Sequence, residues 1–175
     1  MSRSAPYHRQ LLDQARALAL QEPGKPRQAS LRRSVSAAYY ALFHWLVEQS
    51  STRFLGRGLR HRRMRHAFAR AFSHSEMVQA CRSFRAGFGG LPTHLQQLLP
   101  DGFVHPGVVA MACAFEDLQD ARHGADYDLS RRLSRTDART IIDLADRSIA
   151  DWPNDEPSAN CFLLALYSGA RMKRS

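Results

Sequence analysis

The chain has 175 residues, 44% of them hydrophobic and 23% charged, with a formal net charge of +9. That length suits one domain that can bury its own core, and the composition excludes a disordered, collagen-like or disulfide-stapled class. The cysteines Cys81, Cys113 and Cys161 are widely spaced and form no CxxC or Cys/His cluster, so they read as free thiols of a reducing cytoplasm, with no metal or cofactor expected.

The charge is unevenly placed. Residues 1–100 carry 16 Lys+Arg against 4 Asp+Glu, giving +12, and residues 101–175 carry 9 against 12, giving −3. Lys25 and Lys173 are the only lysines. Such asymmetry points to a polyanion or an acidic protein partner, although arginine enrichment also follows from a GC-rich genome. The longest apolar stretches, Val35–Val47 and Cys161–Tyr167, are too short for a membrane span, and the N-terminus lacks the apolar region of a signal peptide.

Strand alternation and hairpin turns are absent, so the periodicity predicts helices throughout. The first covers about Tyr7–Gln21, with Leu11, Ala15, Leu18 and Ala19 on one face, and Pro23-Gly24 breaks it. The second, about Ala29–Gln49, has two apolar stripes, Leu31/Val35/Ala38/Leu42/Trp45 and Tyr39/Phe43/Leu46, as a central helix should. Arg33, Tyr40 and His44 share another of its edges.

Arg53 to His74 holds seven arginines, three histidines and no acid. Read as one helix over Leu59–Phe72, it docks through Met64, Ala67, Phe68, Ala71 and Phe72 and turns Arg60, Arg63 and Arg70 to solvent. That stripe is either a track for a phosphate backbone or a solvated face, or a patch set against the acidic half of a second copy. The buried position of the aromatics argues against base stacking. Gly87–Pro106 reads as a connector with a short helical turn. A fourth helix covers about Pro106–His123, with Gly124 as its stop. A fifth covers about Asp137–Trp152 behind a Ser134/Asp137 cap. A sixth, about Ser158–Ser168, precedes the basic tail 169–175.

In the fourth helix Val108, Met111, Ala112, Phe115 and Leu118 face inward, and Arg122 continues that stripe. An arginine there is either paired with an internal acid or opens onto a cleft. His123, Asp126, Tyr127 and Asp128 follow closely, a group able to bind or transform a phosphate ester. Tyr40 and His44 read either as satisfied core residues or as further lining of an Arg122 cleft.

The segments LRRSVSAAYYALFHWL (Leu31–Leu46), HRRMRHAFARAFSH (His61–His74) and LQDARHGADYD (Leu118–Asp128) together resemble HEPN-domain proteins, a similarity that covers about residues 7–168. It implies an all-α bundle of about four to five helices, usually homodimeric, and with the helices read along this chain the expectation is a single-domain HEPN-like bundle of about five to six helices and a homodimer. It also implies an RNA-interacting role of toxin–antitoxin or defence type, with a metal-independent ribonuclease among the activities and a small nucleotidyltransferase as a partner protein. In the family an arginine is followed after four to six residues by a histidine. Arg122 matches the arginine, but Tyr127 stands at the four-residue spacing and His123 is adjacent. A phenol, with an ordinary pKa of about 10, is a poor general base at neutral pH. Asp126 or His123 would have to serve instead, or the protein acts as a catalytically silent binding partner. Arg60/His66 and Arg3/His8 also fit the spacing, at a frequency chance alone explains.

Overall fold

The computed structural model describes residues 5–168. It contains eight α-helices and two 3-10 turns, with no strand among the described residues. They are α1 (Tyr7–Ala19), α2 (Gln28–Leu55), α3 (Arg62–Ala69), α4 (His74–Arg85), α5 (Thr93–Gln96), α6 (Pro106–Tyr127), α7 (Arg135–Ala150) and α8 (Pro157–Ser168). The all-helical expectation holds, while the count exceeds five to six because α4 is additional and the short turn expected in the Gly87–Pro106 connector forms the four-residue α5. No helix is long and apolar enough to cross a membrane among the described residues. The basic tail and Arg3 lie outside them.

The described residues divide into two compact units, one from residues 5–45 and 117–150, the other from 46–116 and 151–168. In the first, α1 packs on α7. Leu12 and Ala15 of α1 and Ile142 and Ala145 of α7 are buried at helical spacing. Asp146 of α7 receives two guanidinium groups, Arg9 Nη1 on Oδ1 and, at 2.6 Å, Arg16 Nη2 on Oδ2. Gln28 joins the start of α2 to Leu133 by two reciprocal bonds: its Nε2 donates to the Leu133 carbonyl at 2.8 Å and its Oε1 accepts from Leu133 N at 2.9 Å. α7 starts on the expected cap, with Asp137 N donating to Ser134 Oγ at 3.1 Å and Ser134 N donating to Asp137 Oδ2 at 2.8 Å.

In the second unit α4 packs on α8, with Phe84 set edge-on to Phe162 at 5.0 Å between centroids. α4 is not among the expected helices, yet its signals stand in the sequence. Ser73 Oγ accepts from Glu76 N at 3.3 Å and donates to Glu76 Oε2 at 2.9 Å, and Met77, Ala80, Cys81 and Phe84 are buried at helical spacing. Glu116 of α6 is buried and takes Arg82 Nε at 3.0 Å and Arg85 Nη1 at 3.3 Å. A buried carboxylate requires such partners.

Two helices outrun their expected ends. α2 continues to Leu55, and within its last turns Ser50, Ser51 and Thr52 turn their hydroxyls back onto helix carbonyls, for instance Ser50 Oγ to Leu46 O at 2.9 Å. Those hydroxyls therefore do not compete with the helix. Gly56, at φ 75°, supplies the left-handed stop. α6 runs through Gly124 to Tyr127, and the missing Cβ there leaves room for the Arg131 guanidinium against the helix.

Candidate functional site

The extension of α6 decides the geometry around Arg122. With 124–127 helical, Asp126 falls one turn beyond Arg122 on the same face. Arg122 Nε lies 2.8 Å from Asp126 Oδ2, with side-chain exposures of 17% and 29%. The buried Nε–H is not directed at a hydrogen-bond acceptor, so the contact is ionic rather than a formed hydrogen bond. The guanidinium carbon stands 5.5 Å from the Tyr40 ring centroid and 5.7 Å from that of Tyr39, within cation–π range. Asp126 Oδ1 accepts from Ser36 Oγ at 2.6 Å. The arginine is thus held by a carboxylate that α2 fixes in turn.

Of the other residues expected at this site, Tyr40 is brought to Arg122. His44 lies beside Tyr40, with ring centroids 6.3 Å apart, and meets Tyr7 edge-on at 5.0 Å. Burial holds the His44 imidazole below its ordinary pKa. Arg33 is exposed. His123 and Tyr127 pair with each other at 4.9 Å on the outer side of the helix, Tyr127 being 66% exposed. The expected constellation is therefore split, with Arg122 and Asp126 closed on each other and His123 and Tyr127 open to solvent.

Arg32, which helical periodicity does not single out, holds the end of α6. Its Nη1 donates to the carbonyls of Ala125 (2.6 Å) and Asp128 (3.0 Å), and its Nη2 to those of Asp128 (3.0 Å) and Arg131 (2.6 Å). Those carbonyls lie at and just beyond the end of the helix, where helical donors run out; the Asp128 carbonyl also accepts from Arg131 N at 3.3 Å, and a planar guanidinium spans all three. Asp128 closes the turn by accepting from Ser130 N and Oγ. These bonds, the hydroxyl's first, lower its pKa.

The basic segment is built differently from a single Leu59–Phe72 helix. A 3-10 turn over Leu59–His61 precedes the eight-residue α3. Phe68 stacks on Tyr167 at 4.1 Å and Phe72 is buried, as a docked side requires. Met64 and Ala67, expected on that side, are exposed, and α3 ends at Ala69, so Ala71 and Phe72 lie beyond it. Arg62, Arg63, His66, Ala67 and Arg70 line an open cleft of about 480 Å³. Arg60, expected on the same track, instead donates from Nε to His61 Nε2 at 2.9 Å and does not line the cleft. Arg65 is structural, since its Nη1 donates to the carbonyls of Gly56 (2.7 Å) and Gly58 (2.9 Å).

Among the described residues no group of three or more His, Cys, Asp or Glu side chains is placed to hold a metal ion. No protein-family model, curated protein or solved structure matches the chain.

Proposed function

We propose that this chain is a HEPN-like RNA-interacting protein of toxin–antitoxin or defence type, which binds the phosphate backbone through the α3 surface and is catalytically silent at Arg122. The observation that carries the reading is the α3 cleft. Three arginines and a histidine line one open surface, and no carboxylate pairs with those arginines among the described residues. Phosphates on such a surface release counterions, which makes binding strong at low salt and weak at high salt. The Arg122–Asp126 pair supports the silent half of the reading. An arginine neutralised by its own helix has little charge to offer a scissile phosphate, and the histidine expected as a base is missing. A homodimer and a small nucleotidyltransferase partner belong to the same proposal through the resemblance alone.

The test is fluorescence anisotropy with a labelled single-stranded RNA across a salt series, paired with a metal-free cleavage assay. The expected result is salt-dependent binding without cleavage, and a shallower salt slope for Arg63→Gln/Arg70→Gln. Absence of binding at low salt overturns the interface. Cleavage that Arg122→Ala abolishes overturns the silent reading.

A further inference from the structure

A second cleft, of about 340 Å³, lies among residues that no part of the RNA reading uses. Gln49, Thr52 and Arg53 of α2, Arg57 of the following loop, and Trp152 and Asn154 of the α7–α8 connector line it. Its volume falls in the range of small-molecule sites, about 300–1,000 Å³, and its lining is mostly polar. Two arginines converge there, and neither is in an ion pair among the described residues. None of the connector's carboxylates lines it.

Arg53 is held through its side chain, and Arg57, whose side chain is exposed, through its backbone alone. Arg53 donates from Nε to Asn160 Oδ1, which fixes the plane of its guanidinium. Arg57 sits between Gly56 and Gly58, whose carbonyls are both bonded by Arg65, so the loop that carries it is clamped on either side. One oriented guanidinium with a second beside it suits the oxygens of a phosphate monoester. Thr52 Oγ1 donates to Glu48 O at 2.8 Å, which leaves its lone pairs to accept from a ligand hydroxyl. The Gln49 and Asn154 amides can donate or accept. Trp152 is 6% exposed and offers no open ring face on which a base could stack.

From this arrangement we infer a binding site for a compact sugar phosphate, with Arg53 and Arg57 on the phosphate and Thr52, Gln49 and Asn154 on the sugar hydroxyls. The same chemistry occurs in a free sugar phosphate and in the 5′-phosphorylated end of an RNA strand.

The experiment is calorimetric titration of the full chain with ribose 5-phosphate, ribose and inorganic phosphate. Saturable one-to-one binding of ribose 5-phosphate is expected, with ribose weaker by about tenfold or more and inorganic phosphate weaker by a few-fold. Arg57→Gln should weaken it by about tenfold, Arg57→Lys by less, and Arg63→Gln/Arg70→Gln by less than about twofold. The last comparison separates this site from the α3 surface, which can fail independently. Should Arg57→Gln not fold, Thr52→Val reads the same site through loss of the preference for ribose 5-phosphate over inorganic phosphate. No saturable binding, equal binding of ribose, or wild-type affinity in a folded Arg57→Gln overturns the inference. Where ribose 5-phosphate binds, a preference for 5′-phosphorylated over 5′-hydroxyl RNA that Arg57→Gln removes assigns the site to strand ends. Equal affinity for the two strands assigns it to the free sugar phosphate.

Discussion

Arg122 and Asp126 close on each other across one turn of α6, with Nε 2.8 Å from Oδ2, while Ser36 Oγ holds the other carboxylate oxygen at 2.6 Å. A cation so held on a core-facing line contributes to stability more than to capture of an external anion. Arg122→Met is expected to destabilise the fold by about 1–2 kcal/mol, from the partly exposed ion pair and the cation–π contacts together. Urea denaturation measures this. RNA affinity should stay within about twofold of wild type in the same variant. A tenfold loss of affinity at unchanged midpoint would return Arg122 to the binding surface.

Arg32 is expected to matter more to α6 than any residue of that helix's own last turn. Arg32→Met leaves the carbonyls of Ala125, Asp128 and Arg131 without this donor. The cost should be about 2–3 kcal/mol, the scale of charge-assisted hydrogen bonds. Lysine should rescue little, since one ammonium cannot span three acceptors. Thermal melts by circular dichroism, with amide exchange at residues 124–128, give the readout.

Two neighbouring arginines of α3 should behave oppositely. Arg65→Gln removes the donor to Gly56 and Gly58 and should lower stability by about 1–2 kcal/mol. Arg63→Gln, on the exposed cleft, should change stability by less than about 0.5 kcal/mol. Its effect should appear in the RNA salt slope instead, by about 0.7 for each phosphate that the variant no longer neutralises. Equal melting temperatures for the two variants would contradict the division.

His44 predicts a pH dependence of stability. Its folded pKa lies below the ordinary 6.5 because burial disfavours the imidazolium. As pH falls through 6.5 the unfolded chain takes up the proton first, so stability declines from there towards the folded pKa. His44→Phe should flatten denaturant midpoints in that window. Asp128 and Asp137, whose hydrogen bonds to Ser130 and Ser134 lower their pKa values, act in a more acid window. Their contribution is present above the unfolded carboxylate range and is lost as pH falls through the folded pKa. An unchanged pH profile in His44→Phe would sink the assignment.

The thiols should be slow to react. Burial pushes Cys161 up to about 11, and burial, then the Glu116 charge, then Cys113, push Cys81 well above its ordinary value. Neither thiol carries much reactive thiolate near neutrality. An aromatic disulfide reagent should modify both only after denaturant is added, and fast native-state labelling of either would contradict this burial.

Much of the architecture is legible along the chain. The stripes Leu31/Val35/Ala38/Leu42 of α2 and Val108/Met111/Phe115/Leu118 of α6 are buried as their spacing predicts. The Ser134/Asp137 cap forms as expected, and α4 is announced by Ser73, Glu76 and the Met77/Phe84 face. These are local matters, since periodicity and capping depend on residues a few positions apart.

What α6 does at its end is not local. Gly124 is a common stop signal, and a helix that ended there would leave Asp126 and Tyr127 in a loop beside Arg122. The helix continues because Arg32, more than 90 residues earlier, holds the carbonyls near its end, and that continuation brings Asp126 onto Arg122. Spacing along the chain is enough for the all-helical class, for the buried stripes of α2 and α6 and for where positive charge accumulates, but not for α4 or for the ends of α2 and α6. Which arginine is neutralised, which one caps a helix and which stay open to an anion is set by the packing of elements distant in the chain. A charged group's partner is chosen by distance in space, and spacing along the chain constrains that distance only within a few residues.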